Sequence, residues 1–444
     1  MAGCDTFAEG FLWGAATSAY QIEGSPTAAG KGESIWDRFV RRPDTIANGD
    51  SGEVACDHYS RWRGDVSIMQ ELGINAYRFS IAWTRVLPTG TGTVNQAGLD
   101  FYDRLVDALL ESGIEPVATL YHWDLPQAIE DGGGWRERST VEAFAAYAGA
   151  VAGRIADRVR WWITVNEPRV VAQLGHETGE FAPGISDERA WPVVAHHLLL
   201  AHGRAAAALR AVRSDASIGI ALDPNPVVPS SSNPGDVAAA RLRDGKDNRW
   251  YLDPLAGRPY PADVVAAFGA DSRFVAAGDM ETIATPIDFL GVNYYRRELE
   301  GSGDTVTPLP RTAMGWEIYP QGLAGMLIRL RDEYPFASYL VSENGAAFED
   351  VKTAAGVVDD PQRIEYLRSH LASVATAMNA GVPVVGYLVW SLLDNFEWTQ
   401  GYGKRFGLVH VDFATQERTV KSSGYWYRDL VARWRAATAT GEES

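Results

Sequence analysis

Trp161-Trp162-Ile163-Thr164-Val165-Asn166-Glu167-Pro168 begins as a run of aromatic and β-branched residues and ends in an amide, a carboxylate and a proline. Helix-patterned stretches flank it at 140–159 and 196–213, so the run at 161–165 reads as a buried strand between two helices. Seven further runs have the same character, at 12–18, 76–83, 116–122, 218–222, 289–294, 338–342 and 384–390. Further amphipathic stretches lie at 100–112, 320–333 and 363–380, and Gly73, Gly113 and Gly381 stand where helices should end. Near-continuous apolar strands alternating with helices imply a parallel sheet covered by helices. An open doubly wound sheet would carry a Gly-rich turn after its first strand, and Gly14-Ala15-Ala16 is not one. Eight units therefore predict an α/β fold, a single (β/α)8 TIM barrel. The stretch 224–235 reads as a long loop rather than a linker, so residues 1–444 are expected to form one catalytic domain.

Composition narrows the function. Apolar residues make up 46% and charged residues 22%, a globular balance. A net charge of −17 argues against nucleic acid as partner. No run of eighteen apolar residues is present, so no membrane span is expected. The two cysteines, Cys4 and Cys56, predict no structural disulfide. Residues 1–10 lack the basic and apolar regions of a secretion signal. Together these suggest a cytoplasmic protein. Fifteen tryptophans suit either a large core or platforms for sugar rings.

Position carries more information. The runs end in polar or aromatic groups: Tyr20-Gln21-Ile22-Glu23, Tyr121-His122-Trp123-Asp124, Asn166-Glu167, Asn293-Tyr294-Tyr295, Ser342-Glu343-Asn344-Gly345 and Trp390-Ser391. In a barrel all these ends open on one face, where active sites are built. Glu167 and Glu343, from the fourth and seventh strands, are then candidates for the two carboxylates that glycoside hydrolysis requires, about 5 Å apart for a retaining enzyme. The alternative for each is a Glu that caps the following helix. If Ala76, Arg78 and Ser80 share the barrel interior, Arg78 would hold a neighbouring carboxylate ionised, as suits a nucleophile, and Tyr295 could donate to it. Trp161, Trp162 and Pro168 suggest an apolar setting that would keep Glu167 protonated.

The chain resembles the family-one glycoside hydrolases, the β-glucosidase family, from end to end. Residues 11–24, Phe-Leu-Trp-Gly-Ala-Ala-Thr-Ser-Ala-Tyr-Gln-Ile-Glu-Gly, are similar to its N-terminal signature. Thr164 to Pro168 is similar to its acid/base motif and Val341 to Gly345 to its nucleophile motif, where Thr is commoner than Ser342. Trp390 to Trp398 and Arg405-Phe406-Gly407-Leu408 are similar to its C-terminal sugar-binding segment. The resemblance implies a double-displacement β-glucosidase without a cofactor, with Glu167 as acid/base and Glu343 as nucleophile. Asn166 would meet the sugar 2-hydroxyl. Gln21, His122, Trp123, Trp390, Glu397, Trp398 and Phe406 would line the sugar site, Trp316 would be the leaving-group platform, and Arg78, Asn293 and Tyr295 would support the nucleophile.

Within the family, Glu397 argues for a neutral sugar, because the branch acting on 6-phosphoglycosides lacks it and a carboxylate would repel phosphate. Phe181 and His197 depart from the common pattern, where His and Asn are more usual, and are expected outside the inner sugar site. Other chemistries lack support. His196, His197 and His202 are poorly spaced for one metal, CxxC and HExxH are absent, and no Gly-x-Ser-x-Gly elbow occurs. The expected partner is a small β-glucoside or cello-oligosaccharide. A non-catalytic sugar-binding barrel, or a main activity on β-galactosides or β-fucosides, remains the alternative, and oligomeric state is left open.

Overall fold

The computed structural model describes residues 7–269, 272–302 and 306–441; Cys4 lies outside them. Eight strands form a closed, all-parallel barrel: β1 (Leu12–Ala16), β2 (Ala76–Ser80), β3 (Glu115–Tyr121), β4 (Trp161–Asn166), β5 (Ser217–Leu222), β6 (Phe289–Tyr294), β7 (Tyr339–Asn344) and β8 (Val384–Trp390). Each pairs with its neighbours in chain order, and β8 closes the ring onto β1. These are the eight runs read from the sequence, with ends moved by a few residues. The second, for instance, stops at Ser80 because the chain turns into a short helix at Trp83–Val86. The long helices Gln96–Glu111, Ser139–Ile155, Trp191–Val212, Pro320–Glu333 and Pro361–Asn379 cover the outside. Gly73, Gly113 and Gly381 take φ of 61°, 69° and 89° just beyond helices, a left-handed turn that glycine adopts without steric cost. One expectation is corrected: 224–235 is not wholly loop. Val227–Pro229 pairs with Glu298–Glu300 and a helix begins at Pro234, features too short to leave a periodic signal.

Side chains alternate between two cores. Leu12, Ala76, Val117, Ile163, Phe289, Leu340 and Leu388 fill the barrel, while Trp13, Tyr77, Ala118, Trp162, Leu290, Val341 and Tyr387 pack under the helices. Strict alternation breaks where it matters. Pairing is irregular between Ile163 and Asn166 on β4 and towards Asn344 on β7. Such irregularities re-aim side chains at barrel rims. Asn166 and Glu343 thus turn inward although each stands three positions beyond an inward residue.

The segment after β8 is pinned by buried charge. Asp394 accepts from Arg405 Nη1 at 2.7 Å, Lys421 Nζ at 2.6 Å and the Gly407 amide at 2.9 Å. Asp350 also binds Lys421, and it is shared with Arg363. Removing one member strands the others in a low-dielectric interior. Asp394→Ala should therefore cost about 3–5 kcal/mol in urea unfolding, against a surface control such as Asp332→Ala; a loss below about 1 kcal/mol, the range of exposed pairs, would refute this account.

Candidate active site

A cavity of about 360 Å³ opens at the C-terminal ends of the strands, with both Glu167 and Glu343 in its wall. Glu167 directly follows β4 and precedes the helix Pro168–Ala172. It sits in the helix-capping position with φ 45°, yet its side chain makes no cap bond. Instead the carboxylate accepts from Asn293 Nδ2 at 2.6 Å, and its backbone amide bonds Ala221 O at 2.8 Å. A left-handed glutamate costs on the order of 1–3 kcal/mol and persists only where neighbours fix it. The helix-capping alternative is thereby excluded for Glu167.

Glu343 is held differently. Arg78, fully buried, donates Nη1 to Glu343 Oε1 at 2.5 Å, and the Tyr295 hydroxyl donates to Oε2 at 2.5 Å. Arg78 also donates Nη2 to Asn166 Oδ1 at 2.6 Å and Nε to Thr119 Oγ1 at 3.0 Å. Because Asn166 Oδ1 accepts from Arg78 and from Asn293, its Nδ2 faces His122 Nε2 at 3.2 Å. His122 must accept there, which places its proton on Nδ1. That buried donor has no partner in the protein. Burial and the Arg78 charge push His122 well below the usual histidine range, so it is neutral.

Burial raises both carboxylic acids, but unequally. At Glu343 the Arg78 charge and the Tyr295 bond oppose the rise. At Glu167 the nearby Asp223 and Glu343 charges add to it, and the acid lies well above the ordinary carboxylate range. The first proton to leave the pair therefore comes from Glu343. The direction for Glu167 agrees with the sequence reading, but its cause does not. Trp161 packs on Phe289 low in the barrel and Trp162 faces the outer core, so neither shields Glu167.

The aromatic residues converge on the same space. Trp390 lies parallel to His122 at 5.8 Å, and Trp123 packs on Trp398 at 4.6 Å. The indole N–H of Trp123 is taken by Asn166 O, leaving its ring for the cavity. Trp316, Phe406 and Tyr295 form a second aromatic corner. Glu397 also lines the cavity, where burial and Glu343 push it up to about 8. Gln21 stands behind that wall: it accepts from Ser18 and donates to Phe396 O, with Glu397 Oε2 at 3.5 Å. Phe181 lines the cavity wall and packs on Trp123 and Trp398. His197 does lie away, bonded to Trp135 O, while His196 bonds Tyr260 and Asp279 and His202 bonds Thr164. Among the described residues no His, Cys, Asp and Glu cluster could hold a metal.

A glycosyl hydrolase family 1 model matches residues 4–435. The chain belongs to glycosyl hydrolase family 1. It is 46% identical to β-glucosidase A of Acetivibrio thermocellus over 96% of this chain and 98% of that one. It is 44% identical to the bifunctional β-D-glucosidase/β-D-fucosidase of Bifidobacterium breve, over 96% and 98%. The β-glucosidase of Thermotoga maritima in complex with glucoimidazole superposes with a TM-score of 0.92 at 46% identity, covering 96% of this chain and 99% of that one.

Sequence reasoning missed Asp223 and Arg169, which line this family 1 cavity and form an ion pair beside Glu167. The signal was present, since Asp223 is the polar residue ending the fifth run, as others end theirs. In the free protein, ¹³C NMR of labelled glutamates should show Glu343 titrating below Glu167, and Tyr295→Phe should raise Glu343 alone by about one unit. Titration of Glu167 first would contradict the assigned electrostatics.

Proposed function

We propose that residues 1–444 form one catalytic domain, a retaining β-glucosidase acting on terminal non-reducing β-D-glucosyl residues of small glucosides and cello-oligosaccharides. The observation that carries this is the unequal pair. Two buried carboxylic acids face one cavity, and only Glu343 has a guanidinium and a phenol on its oxygens. In this reading Glu343 attacks the anomeric carbon while Glu167 gives its proton to the departing glycosidic oxygen. A glycosyl ester forms on Glu343. Glu167, now a carboxylate, then takes a proton from water as the water oxygen attacks and Glu343 leaves.

The remaining residues supply orientation. Asn166 keeps one amide N–H for the sugar 2-hydroxyl, and His122 Nδ1–H is the donor left over for a neighbouring hydroxyl. Glu397 accepts from hydroxyls at the closed end, and Trp390, Trp398 and Trp123 supply ring faces. Trp316 is the platform for the leaving group. A neutral sugar is favoured because Glu397, protonated or ionised, offers a phosphate no positive charge, and Lys404 Nζ is committed to Ala313 O at 2.7 Å. Glu397 can accept from a 4-hydroxyl of either orientation, and the Bifidobacterium relative is named for two sugars, so β-fucosides and β-galactosides are secondary substrates. Placement in a reducing cytoplasm is supported by Cys56, which is buried as a free thiol. Among the described residues no helix is long and apolar enough to cross a membrane.

Release of a phenol from an aryl β-glucoside tests the enzyme against the non-catalytic binder; no release would remove the catalytic reading. Glu343→Gly should lower turnover by more than about a thousandfold, the scale of lost covalent catalysis, and a small external anion should restore it with an inverted product. Glu167→Ala should slow poor leaving groups far more than good ones; equal slowing would contradict its role as acid. The wild-type pH profile should be bell-shaped. Activity falls as Glu343 protonates on the acid side and as Glu167 ionises on the alkaline side.

A further inference from the structure

Arg169 stands two residues after Glu167, on the same turn, and Asp223 stands two residues after Ala221, whose carbonyl takes the Glu167 amide. The Arg169 Nε donates to Asp223 Oδ2 at 2.9 Å and a second guanidinium N–H reaches the same oxygen. The pair spans the C-terminal ends of β4 and β5, the two strands between which Glu167 is held. It is anchored from behind as well. Arg169 Nη1 donates to Gln173 Oε1 at 3.4 Å, Gln173 donates to Asp247 at 3.1 Å, and Asp247 binds Arg243. The side chains of Arg169 and Asp223 are only 11% and 9% exposed, so solvent screens them weakly. Both nonetheless line the cavity that holds Glu167.

We propose that the Arg169–Asp223 ion pair is a positioning device for Glu167: it ties the turn carrying that residue to the end of β5 and keeps an anion beside its carboxyl. This rests on the reading of Glu167 as the acid. The tie explains how a left-handed glutamate is tolerated with no cap bond of its own, since the turn is restrained on both sides by Ala221 and Asp223. The anion answers a chemical need. Once Glu343 is esterified its charge is gone and Glu167 has given up its proton, so a remaining anion raises the proton affinity with which Glu167, as base, takes a proton from water. Asp223 persists through both steps. Two other charges act on Glu167. Glu343 acts in the same sense and Arg169 in the opposite one, with Asp223 the strongest of the three after burial. Tyr295 is neutral, and burial together with the carboxylates keeps it so. Glu180, Arg296 and Glu397 lie further round the cavity wall, and none bonds Glu167.

The test is the alkaline limb of kcat/KM in the full-length enzyme, measured with an alkyl glucoside that needs protonation. Asp223→Asn keeps the shape and removes the charge, and should move the limb down by about one pH unit. The double variant Arg169→Gln, Asp223→Asn removes both charges while two amides can still bond, and should move it down by less. A limb at the wild-type position in Asp223→Asn, whatever the rate, overturns the proposal. If Asp223→Asn does not fold, an unmoved limb in the double variant overturns it equally. Failure of Glu167 as the acid is a separate result, visible as equal slowing of good and poor leaving groups in Glu167→Ala.

Discussion

The site is organised around one buried guanidinium. Arg78 sits inside the barrel with no exposure, and a charge there is tolerated only when its N–H groups are met. They are met from three other strands: Thr119 on β3, Asn166 on β4, and Ser342 O and Glu343 on β7. Satisfying Arg78 therefore fixes the relative placement of groups far apart in the chain. It also orients the Asn166 amide, and through that amide selects the His122 tautomer. A single desolvation requirement propagates into which atoms donate and which accept around the sugar pocket.

The same cation makes the two carboxylic acids unequal. Both are buried, and burial alone would leave them as alternatives for a single proton. Arg78 and Tyr295 act on Glu343, whereas Glu167 faces Asp223 and Asn293. Asn293 joins the two sides, donating Nδ2 to Glu167 while its Oδ1 accepts from Ser342. Two residues of one chemical type thus diverge in proton affinity through neighbours drawn from different strands, which is what separates a nucleophile from an acid.

Much of this could be read from the chain because a parallel barrel buries its strands on both faces. Near-continuous apolar runs such as Phe289–Tyr294 and Val384–Trp390 stand out, and His122, Glu167, Tyr295, Glu343 and Trp390, at or just beyond the ends of such runs, line the cavity. What could not be read was geometry that alternation does not encode. Period two would send Asn166 and Glu343 outward from Ile163 and Leu340; irregular pairing turns them in. Trp161 and Trp162 adjoin Glu167 in sequence but not in space, because a strand carries successive side chains to opposite faces and along its length. The contacts by which Gln21 joins the segment 395–397 were equally hidden, since they link residues 374 to 376 positions apart. Asp223 was passed over because its importance lies in its partner. Arg169 becomes meaningful only when the two strand ends are known to be neighbours.

The cavity wall mixes polar and apolar groups, and that mixture bears on how cleavage is directed. At its inner end lie the unpartnered His122 donor and Glu397, framed by indole faces. The same wall carries Val170, Leu174, Phe181, Met314 and Trp316 together with Arg296 and the exposed Glu180 and Gln400. A hydroxyl-rich ring would exchange water for directed hydrogen bonds at His122 and Glu397, whereas apolar wall area discriminates less between partners. The proposed acid, Glu167, lies beside Asp223 and Arg169. Arg78 fixes Asn166 and through it His122, and Asp394 fixes the segment after β8, while Val170 and Leu174 stand on the helical turns that follow Glu167.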